Sequence, residues 1–403
     1  MPAIAAPLAP IRSRPGLPLH QFALRGGSGA VYARAAEIDA EFWAETFGGQ
    51  PKDRAFYELL ERTMAADFIY RYLLLRLPNG KPVALQPLIL TDQDLSLSLG
   101  RTARRVLESL RRFFPRLLRC RMLLAGCLVG DGHFGVARGF SRTRAVALLA
   151  EGVDIYAKLA GVSLLTFKDF PAVERAEMLA LGRAGYTRLD GFPPLKLILD
   201  FDSFDDYLGT RLSRITRKGL RRKFRAAAEA DPPVTLEVRN NCRSVIDEIY
   251  PLYLAVARRS EIEFEVFSRA YFLDASLTLS DRSRFFIWRQ NGKAIAFSYC
   301  TVWGDTIFDH DLGLDYSVAH DLHLYYLSFR DILEWALRHG YRTYRTSPFN
   351  YDPKMRLRLD LEPVDLFVRH RSPLLNYLLR VFAPRFSPVQ SDPVLRRHFS
   401  ARL

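Results

Sequence analysis

The segment 306–340 concentrates ionisable side chains. It contains four of the eight histidines of the chain and six acidic residues. Asp309, His310 and Asp311 are consecutive in a strand-like run, TIFDHDL. In a regular strand Asp309 and Asp311 share one face and His310 points to the other, so three consecutive residues are poorly placed to hold one metal ion.

A second histidine pair follows, His320 and His323. Their spacing of three residues could chelate a metal, but no third ligand is evident, and we favour a surface pair at a helix start. No Gly-x-Ser-x-Gly elbow is nearby, which disfavours hydrolase chemistry. The four cysteines lack CxxC spacing, which disfavours a zinc knuckle or a disulfide framework and makes a reducing compartment the default. We therefore expect no metal.

Positive charge is clustered in three places. The net charge of +14 indicates an anionic partner. Segment 211–225 has eight basic residues in fifteen and no acid, which suits RNA, a phosphate-rich carrier or lipid headgroups. Segment 101–121 has eight basic residues interleaved with apolar ones, which is typical of a helix in a membrane interface. The tail 372–390 repeats that pattern, with Ser372 as N-cap, although a core-packed helix remains open.

The elements that must position these residues are clearest in the C-terminal half. Strand-like runs over 284–290 and 293–302 flank an Asn-Gly pair, which predicts a hairpin. A third strand over 306–312, a helix ending at Gly340 and a strand over 341–347 follow. The predicted order is β-β-β-α-β.

The N-terminal half repeats part of this order. NGKPVAL (79–85) aligns with NGKAIAF (291–297), and a helix over 145–161 precedes a strand over 162–171. We interpret this as an internal duplication. The expected division is a flexible leader over 1–30, an N-terminal domain over 31–195 with the insert 101–121, a C-terminal catalytic domain over 196–370 and a basic amphipathic tail over 371–403.

A three-strand meander followed by a helix and a strand resembles the core of the Gcn5-related N-acetyltransferase (GNAT) superfamily, and two such cores resemble the FemAB-like group. Segments 201–227 and 349–370 are similar to segments of that group, the second to a bacterial N-acyltransferase subgroup. The resemblance implies an α/β (α+β) fold of two tandem GNAT-like domains, each a mixed, mainly antiparallel sheet flanked by helices. One departure is DYSVAHDLHL (315–324), which has no glycine where acetyl-CoA users carry a glycine-containing pyrophosphate loop.

The resemblance also implies roles for individual residues. Amide formation needs a proton acceptor for the attacking amine and a donor for the oxyanion. The candidate catalytic residues are His310, Asp309 and Asp311, in that order as proton acceptor, and Lys354; a bracing, hydrogen-bonded aspartate is the alternative. The candidate substrate-binding residues are Glu265, which is otherwise a solvated acid, Asn350, Tyr351, Tyr325 and Tyr326. The candidate carrier-binding residues are His320, Asp321, Leu322, His323, Arg217 and Lys218.

The function that this resemblance implies is an N-acyltransferase. It transfers an acyl group, expected to be long, from acyl-CoA or acyl-carrier-protein thioester to a primary amine. A sphingoid-type lipid amine, giving a ceramide-like amide, suits the apolar basic segments. The expected location is the cytoplasm, with peripheral attachment to the anionic inner face of the cell membrane. The alternative is a FemAB-like transferase that uses aminoacyl-tRNA on a cell-wall precursor.

Overall fold

Two β-sheets with helices packed against them make up the protein. The computed structural model describes residues 16–94, 109, 111, 119–260, 265–386 and 388–400. The strands are β1 His20–Leu24, β2 Gly27–Tyr32, β3 Ile69–Arg76, β4 Pro82–Asp94, β5 Arg119–Gly126, β6 Gly135–Val136, β7 Leu164–Pro171, β8 Thr187–Asp190, β9 Leu195–Ile198, β10 Val234–Arg239, β11 Ser283–Gln290, β12 Lys293–Trp303, β13 Thr306–Leu314, β14 Thr343–Thr346, β15 Asp360–Leu361 and β16 Val364–His370. The helices are α1 Ala40–Phe47, α2 Arg54–Thr63, α3 Arg142–Leu159, α4 Arg175–Arg183, α5 Phe204–Arg211, α6 Arg214–Ala228, α7 Ile246–Ala257, α8 Arg269–Thr278, α9 Leu324–Arg338, α10 Tyr351–Arg356, α11 Pro373–Phe382, α12 Pro388–Ser391 and α13 Pro393–Ser400.

Each half of the chain builds most of one sheet. The first sheet has the order β1-β2-β3-β4-β5-β7-β16-β8, with β6 beside β4, and the second has the order β10-β11-β12-β13-β14-β9-β15. The pairs β5–β7 and β13–β14 are parallel, and the other pairs are antiparallel. The predicted architecture of two mixed, mainly antiparallel sheets flanked by helices is confirmed.

Local turn chemistry explains the order in the C-terminal half. Asn291 and Gly292 have φ values of 50° and 76°, the left-handed conformation that a two-residue hairpin turn between β11 and β12 requires. Gly340, at φ 78°, donates its N–H to the carbonyl of Leu337 and ends α9. The predicted β-β-β-α-β order is present as β11, β12, β13, α9 and β14.

The N-terminal half has the same order in β3, β4, β5, α3 and β7. Gly80, at φ 82°, lies in the turn between β3 and β4, as Gly292 does between β11 and β12. The predicted amphipathic insert 101–121 lies outside the described residues, apart from Ser109, Arg111 and the first residues of β5.

The predicted leader is too long. Residues 1–15 lie outside the described residues, but β1 and β2 form an antiparallel hairpin, and β2 pairs with β3. Gly27 makes the close approach possible, because a Cβ atom there would lie 1.9 Å from the carbonyl oxygen of Arg76. The first domain therefore begins before residue 31.

The predicted end of the C-terminal domain at residue 370 is also wrong, because the chain returns to the first sheet before that residue. β9 joins the second sheet beside β14, and β16 returns to the first sheet between β7 and β8. Asp365 of β16 is 1% exposed. It accepts hydrogen bonds from Arg175 at 2.7 and 2.8 Å and from Arg188 at 2.7 Å, and these bonds fix β16 to α4 and β8.

The two halves share an apolar interface. One core cluster contains Trp43 and Tyr57 from the first half and Phe272 and Tyr299 from the second. At its edge Arg282 contacts Asp53 at 2.7 Å. No helix in the described ranges is long and apolar enough to cross a bilayer.

Candidate active site

A cleft opens where β13 and β14 separate. The parallel pairing runs only from Thr306 opposite Thr343 to Asp309 opposite Thr346. β14 ends there, whereas β13 continues to Leu314. Backbone groups of β13 beyond Asp309 are therefore not paired with β14, and side chains from both sides can reach the gap.

A β-bulge at His310 changes the direction of the acidic side chains. Tyr299 of β12 lies opposite Asp311, and the next residue, Cys300, lies opposite Asp309. Because neighbouring residues of β12 point to opposite faces, Asp309 and Asp311 also point to opposite faces. The expectation that they share one face is wrong. Asp311 points toward the first domain with Tyr299, and Asp309 points toward α9.

A cavity of about 1010 Å³ extends from this cleft between the two domains. This volume is at the upper end for ligand pockets, and most of the lining side chains are apolar or aromatic. The ionisable residues of the lining are Lys52, Asp131, His133, Lys168, Asp169, Glu174, Glu265, Arg282, Asp309, His310, Asp311, Arg345 and Lys354. Both domains therefore contribute charged groups to one cavity.

Two carboxyl groups in the cavity have raised pKa values. Burial, together with the charges of Glu265 and Asp309, raises the pKa of Asp311 to about 8. Burial raises the pKa of Glu265 to about 7, although Lys168 opposes the change. Glu265 is therefore a cavity residue rather than a solvated acid. Since the two carboxyl groups repel each other, they hold at least one proton between them at neutral pH.

His310 is a neutral imidazole at physiological pH. Its Nε2 lies 2.7 Å from Oγ1 of Thr301. Burial lowers the pKa of His310 to about 3, and Lys52 and Arg345 contribute to the lowering. An imidazole with so low a pKa is a weak proton acceptor. These pKa values favour Asp311 over His310 as the candidate proton acceptor.

Asp309 is held by hydrogen-bond donors on neighbouring strands. Ser298 Oγ donates to its Oδ1, and the hydroxyl of Tyr344 on β14 donates to its Oδ2 at 2.7 Å. Burial raises the pKa of Asp309, and these donors oppose the rise. Asp309 thus connects β12, β13 and β14 at the point where the cleft begins. This position fits the alternative interpretation of Asp309 as a bracing, hydrogen-bonded aspartate.

Lys354 lies on the wall of the cavity. Its Nζ donates to the carbonyl oxygen of Ser347 at 2.6 Å. Burial lowers the pKa of Lys354 to about 8, and the charge of Asp309 opposes this change. The group can therefore donate a proton or a hydrogen bond near neutral pH.

The predicted substrate-binding residues divide into two groups. Asn350 and Tyr325 line the cavity with Glu265. Tyr351 is instead buried in the second core, where its hydroxyl donates to the carbonyl of Pro193 at 3.0 Å. Tyr326 lies outside the lining, with its ring centre 4.4 Å from Nζ of Lys223. Neither Tyr351 nor Tyr326 reaches the cavity.

The predicted carrier-binding residues lie around the start of α9, outside the cavity lining. His320 and Asp321 are exposed, whereas Leu322 is buried in the core. The N–H groups of Leu322, His323 and Leu324 already donate to carbonyls of the same loop. This loop therefore offers few free N–H groups to a pyrophosphate.

The other two, Arg217 and Lys218, lie on α6. Arg217 donates to the carbonyl of Gly209 at 2.8 Å, and Lys218 is exposed.

The sequence reasoning did not find the contribution of the first domain. Lys168 and Asp169 of β7 line the cavity and form an ion pair at 2.5 Å. Arg345 of β14 contacts Asp131 of the first domain at 2.8 Å. A signal was available, because a Lys-Asp pair interrupts the otherwise apolar run VSLLTFKDFP. Among the described residues no group of three or more His, Cys, Asp or Glu side chains could hold a metal ion.

Comparison with known proteins supports this architecture. Residues 214–354 match the acetyltransferase (GNAT) domain family. The crystal structure of FemX superposes with a TM-score of 0.54 at 11% identity, covering 90% of this chain and all of FemX. L-PGS from Bacillus licheniformis gives a TM-score of 0.47 at 12% identity, covering 85% of this chain and 98% of L-PGS. A tandem GNAT protein from the clavulanic acid biosynthesis pathway gives 0.49 at 14% identity, covering 83% and 94%.

No curated protein sequence matches the chain. The family match covers the β-β-β-α-β order and the cleft of the second domain, while the superposition on FemX covers both domains. The chain therefore has a FemAB-like double-GNAT fold, as its sequence predicts.

Proposed function

We propose that the protein is an N-acyltransferase that transfers a long acyl group from a thioester to the primary amine of a lipid. The match of residues 214–354 to the GNAT acetyltransferase family supports an acyl-transferring enzyme. The observation that carries the finer proposal is the cavity of about 1010 Å³, mainly apolar in its lining, with buried carboxyl groups beside the cleft. Such a lining suits a hydrocarbon chain, whereas a small polar amine would leave most of it in contact with water.

The reaction is a direct displacement. The amine enters as an ammonium ion and binds the form of the site in which Asp311, beside Glu265, has lost its proton. Asp311 accepts the proton of the ammonium, since a raised pKa makes its carboxylate a stronger base than a solvated one. The neutral nitrogen attacks the thioester carbonyl, a C–N bond forms, the C–S bond breaks, and the sulfur leaves as a thiol after receiving a proton. Lys354, at the cleft, supplies that proton and takes up the second proton that the nitrogen loses as the amide forms.

A sphingoid-type base is the amine that we favour, with a ceramide-like amide as product. This amine joins a long hydrocarbon chain to a primary amine, a combination that suits the apolar lining and the acidic wall of the cavity. The proposed location is the cytoplasmic face of the cell membrane. α11 supports this placement, because none of its residues is buried and its large apolar side chains other than Leu379 are exposed.

The test is a direct assay of the purified chain. We expect an N-acylated lipid when the chain is incubated with a long-chain acyl thioester and a sphingoid base, detected by mass spectrometry. Two compounds serve as controls: a short alkylamine, which lacks the long apolar chain, and a long-chain alcohol, which lacks the amine. The absence of any amide with acyl-CoA, acyl carrier protein and S-acyl pantetheine alike would reject the proposal.

A second candidate is transfer of an aminoacyl group from tRNA to a cell-wall precursor. The cationic helix α6 favours it, because a surface rich in cations suits a nucleic acid as well as other polyanions. In that case activity in a cell extract is lost after ribonuclease treatment, whereas the lipid N-acyltransferase is insensitive to it.

A further inference from the structure

Helix α6 presents a cationic surface without acidic partners. It contains seven basic residues over 214–225 and no acid, and among the described residues no ion pair joins them to a carboxylate. Arg214, Lys218, Arg221, Arg222 and Arg225 are exposed. At 1.5 Å per residue, the fifteen residues of α6 extend over about 22 Å. The seven cations are Arg214, Arg217, Lys218, Arg221, Arg222, Lys223 and Arg225.

This surface lies close to the cavity. Nζ of Lys223 is 4.4 Å from the ring centre of Tyr326. The ring of Tyr326 lies 5.4 Å from that of Tyr325, which lines the cavity. On the next turn Arg330 of α9 lies over the ring of Phe224, at 5.0 Å from its centre. Only two aromatic side chains therefore separate α6 from the cavity.

The loop before α9 does not compensate for the missing glycines. Its Val318, Ala319, Leu322, His323 and Leu324 N–H groups all donate to carbonyls within residues 315–320. A free coenzyme needs unpaired N–H groups for its pyrophosphate. We therefore look for recognition of the donor on another surface, and α6 is a cationic surface beside the cavity.

The side chains around the cations indicate what kind of partner fits. Ile215 is 86% exposed among them, and an exposed aliphatic residue suits a protein partner. Phe224 is partly buried and covered by Arg330, so α6 offers no free aromatic ring for base stacking. A single aliphatic residue also buries little area in a bilayer, in contrast to the exposed apolar residues of α11.

From these contacts we infer that α6 docks an acidic carrier protein, which delivers the acyl thioester on its phosphopantetheine arm past Tyr326 into the cavity. This inference rests on the proposed function and names its donor. Acidic side chains of the carrier pair with the α6 cations, and Ile215 contacts an apolar patch among them. The same arm occurs in acyl-CoA, but without a protein to occupy α6.

The experiment compares three donors with one acyl chain: acyl carrier protein, acyl-CoA and S-acyl pantetheine. Arg221→Glu/Arg225→Glu should raise the KM for the acyl carrier protein about tenfold or more, with a steep dependence on salt, because opposing rim charges slow association. The KM for S-acyl pantetheine should change far less. Lys81→Glu/Arg138→Glu changes the net charge equally on exposed residues of the first domain and should leave all three donors unaffected. Ile215→Ser should raise the KM for the acyl carrier protein and leave the KM for the other two donors unchanged.

The other outcomes overturn the docking surface, overturn the proposed function or assign α6 to another partner. An equal loss with all three donors, or a preference for acyl-CoA that the α6 variants do not alter, overturns the docking surface but leaves N-acyl transfer intact. No amide from any of the three donors overturns the proposed function itself. Loss of vesicle binding or of tRNA binding in the α6 double variant, with carrier kinetics unchanged, assigns the surface to that partner instead.

Discussion

Asp309 and Asp311 are two residues apart on β13 but point to opposite faces of the sheet, because His310 is the extra residue of a β-bulge. Asp311 faces Glu265 and the tyrosines of the domain interface, and burial raises its pKa to about 8. Asp309 faces α9 and binds Ser298 and Tyr344. The bulge therefore separates a carboxyl group available for proton transfer from one that fixes the cleft.

The first prediction separates these two roles. Asp311→Asn should lower kcat by about 10²-fold or more, as removal of a general base does, without unfolding the protein. Asp309→Asn should lower the melting temperature because it weakens the contact with Tyr344, and any loss of kcat should follow from the displaced strand. Circular dichroism and steady-state kinetics of both variants distinguish the roles. Wild-type kcat in Asp311→Asn would exclude Asp311 as the proton acceptor.

The second prediction concerns stability and pH. The pKa of Asp311 is raised in the folded state, from an ordinary 3.8 to about 8, so the folded protein binds this proton more tightly than the unfolded chain. Its contribution to stability is complete below pH 4 and decreases as the pH rises toward 8. Asp311→Asn should remove that decrease. Urea unfolding at pH 5 and pH 9 measures it, and a variant less stable than wild type at pH 9 would contradict the expectation.

The third prediction concerns the pH–rate profile. Asp311 and Glu265 must lose a proton to accept one, and their pKa values of about 8 and about 7 place the acid limb of kcat/KM there, as a property of the pair. Lys354 has a pKa of about 8, so the alkaline limb begins as its charge is lost. Lys354→Arg keeps the charge and should move that limb upward, whereas Lys354→Met should remove it with a loss of kcat. An identical alkaline limb in Lys354→Arg would exclude Lys354 as the donor.

The fourth prediction concerns α11 and membranes. Leu374 and Tyr377 are 67% and 64% exposed, and Leu375, Leu378, Val381 and Phe382 are exposed with them. Leu374→Ser/Leu378→Ser should reduce flotation with vesicles that contain anionic lipid by about tenfold, because the lost apolar area is what inserts. Leu277→Ser, at an exposed leucine of α8, is the matched control. If the double variant floats like wild type, α11 is not the membrane contact.

The fifth prediction concerns the strand that returns to the first sheet. Asp365→Ala removes the acceptor of Arg175 and Arg188 and should lower the free energy of unfolding by about 1.5–3 kcal/mol, as hydrogen bonds to charged groups do. Urea denaturation measures the change. Asp190→Ala is the control, because Asp190 pairs with Arg188 but is 53% exposed, and its loss should cost much less.

Local signals made the second domain predictable from the sequence. Asn291 and Gly292 adopt the positive φ values of a two-residue hairpin turn, and Gly340 has a positive φ at the end of α9. The return of β16 to the first sheet leaves no local mark, because the pairing partner of a strand depends on distant residues. The hairpin β1–β2 was also missed, although its pairing is local and Gly26-Gly27 lies at its turn.

The candidate site could be predicted in position but not in detail. Asp309, His310, Asp311, Lys354 and Glu265 all line the cavity. The direction of Asp309 relative to Asp311 was predicted wrongly, because no periodic pattern in the sequence marks a β-bulge. The low pKa of His310 arises partly from Lys52 and Arg345, which are close to it only after the two domains pack together.

The return of β16 from the second half of the chain to the first sheet interlocks the two halves of the molecule. The first half cannot be cut out as an independent folding unit, because it would lose this interior strand. The second half keeps every strand of its own sheet but would carry β16 without its partners. The two halves are therefore one unit of folding, and the walls of the cavity assemble together.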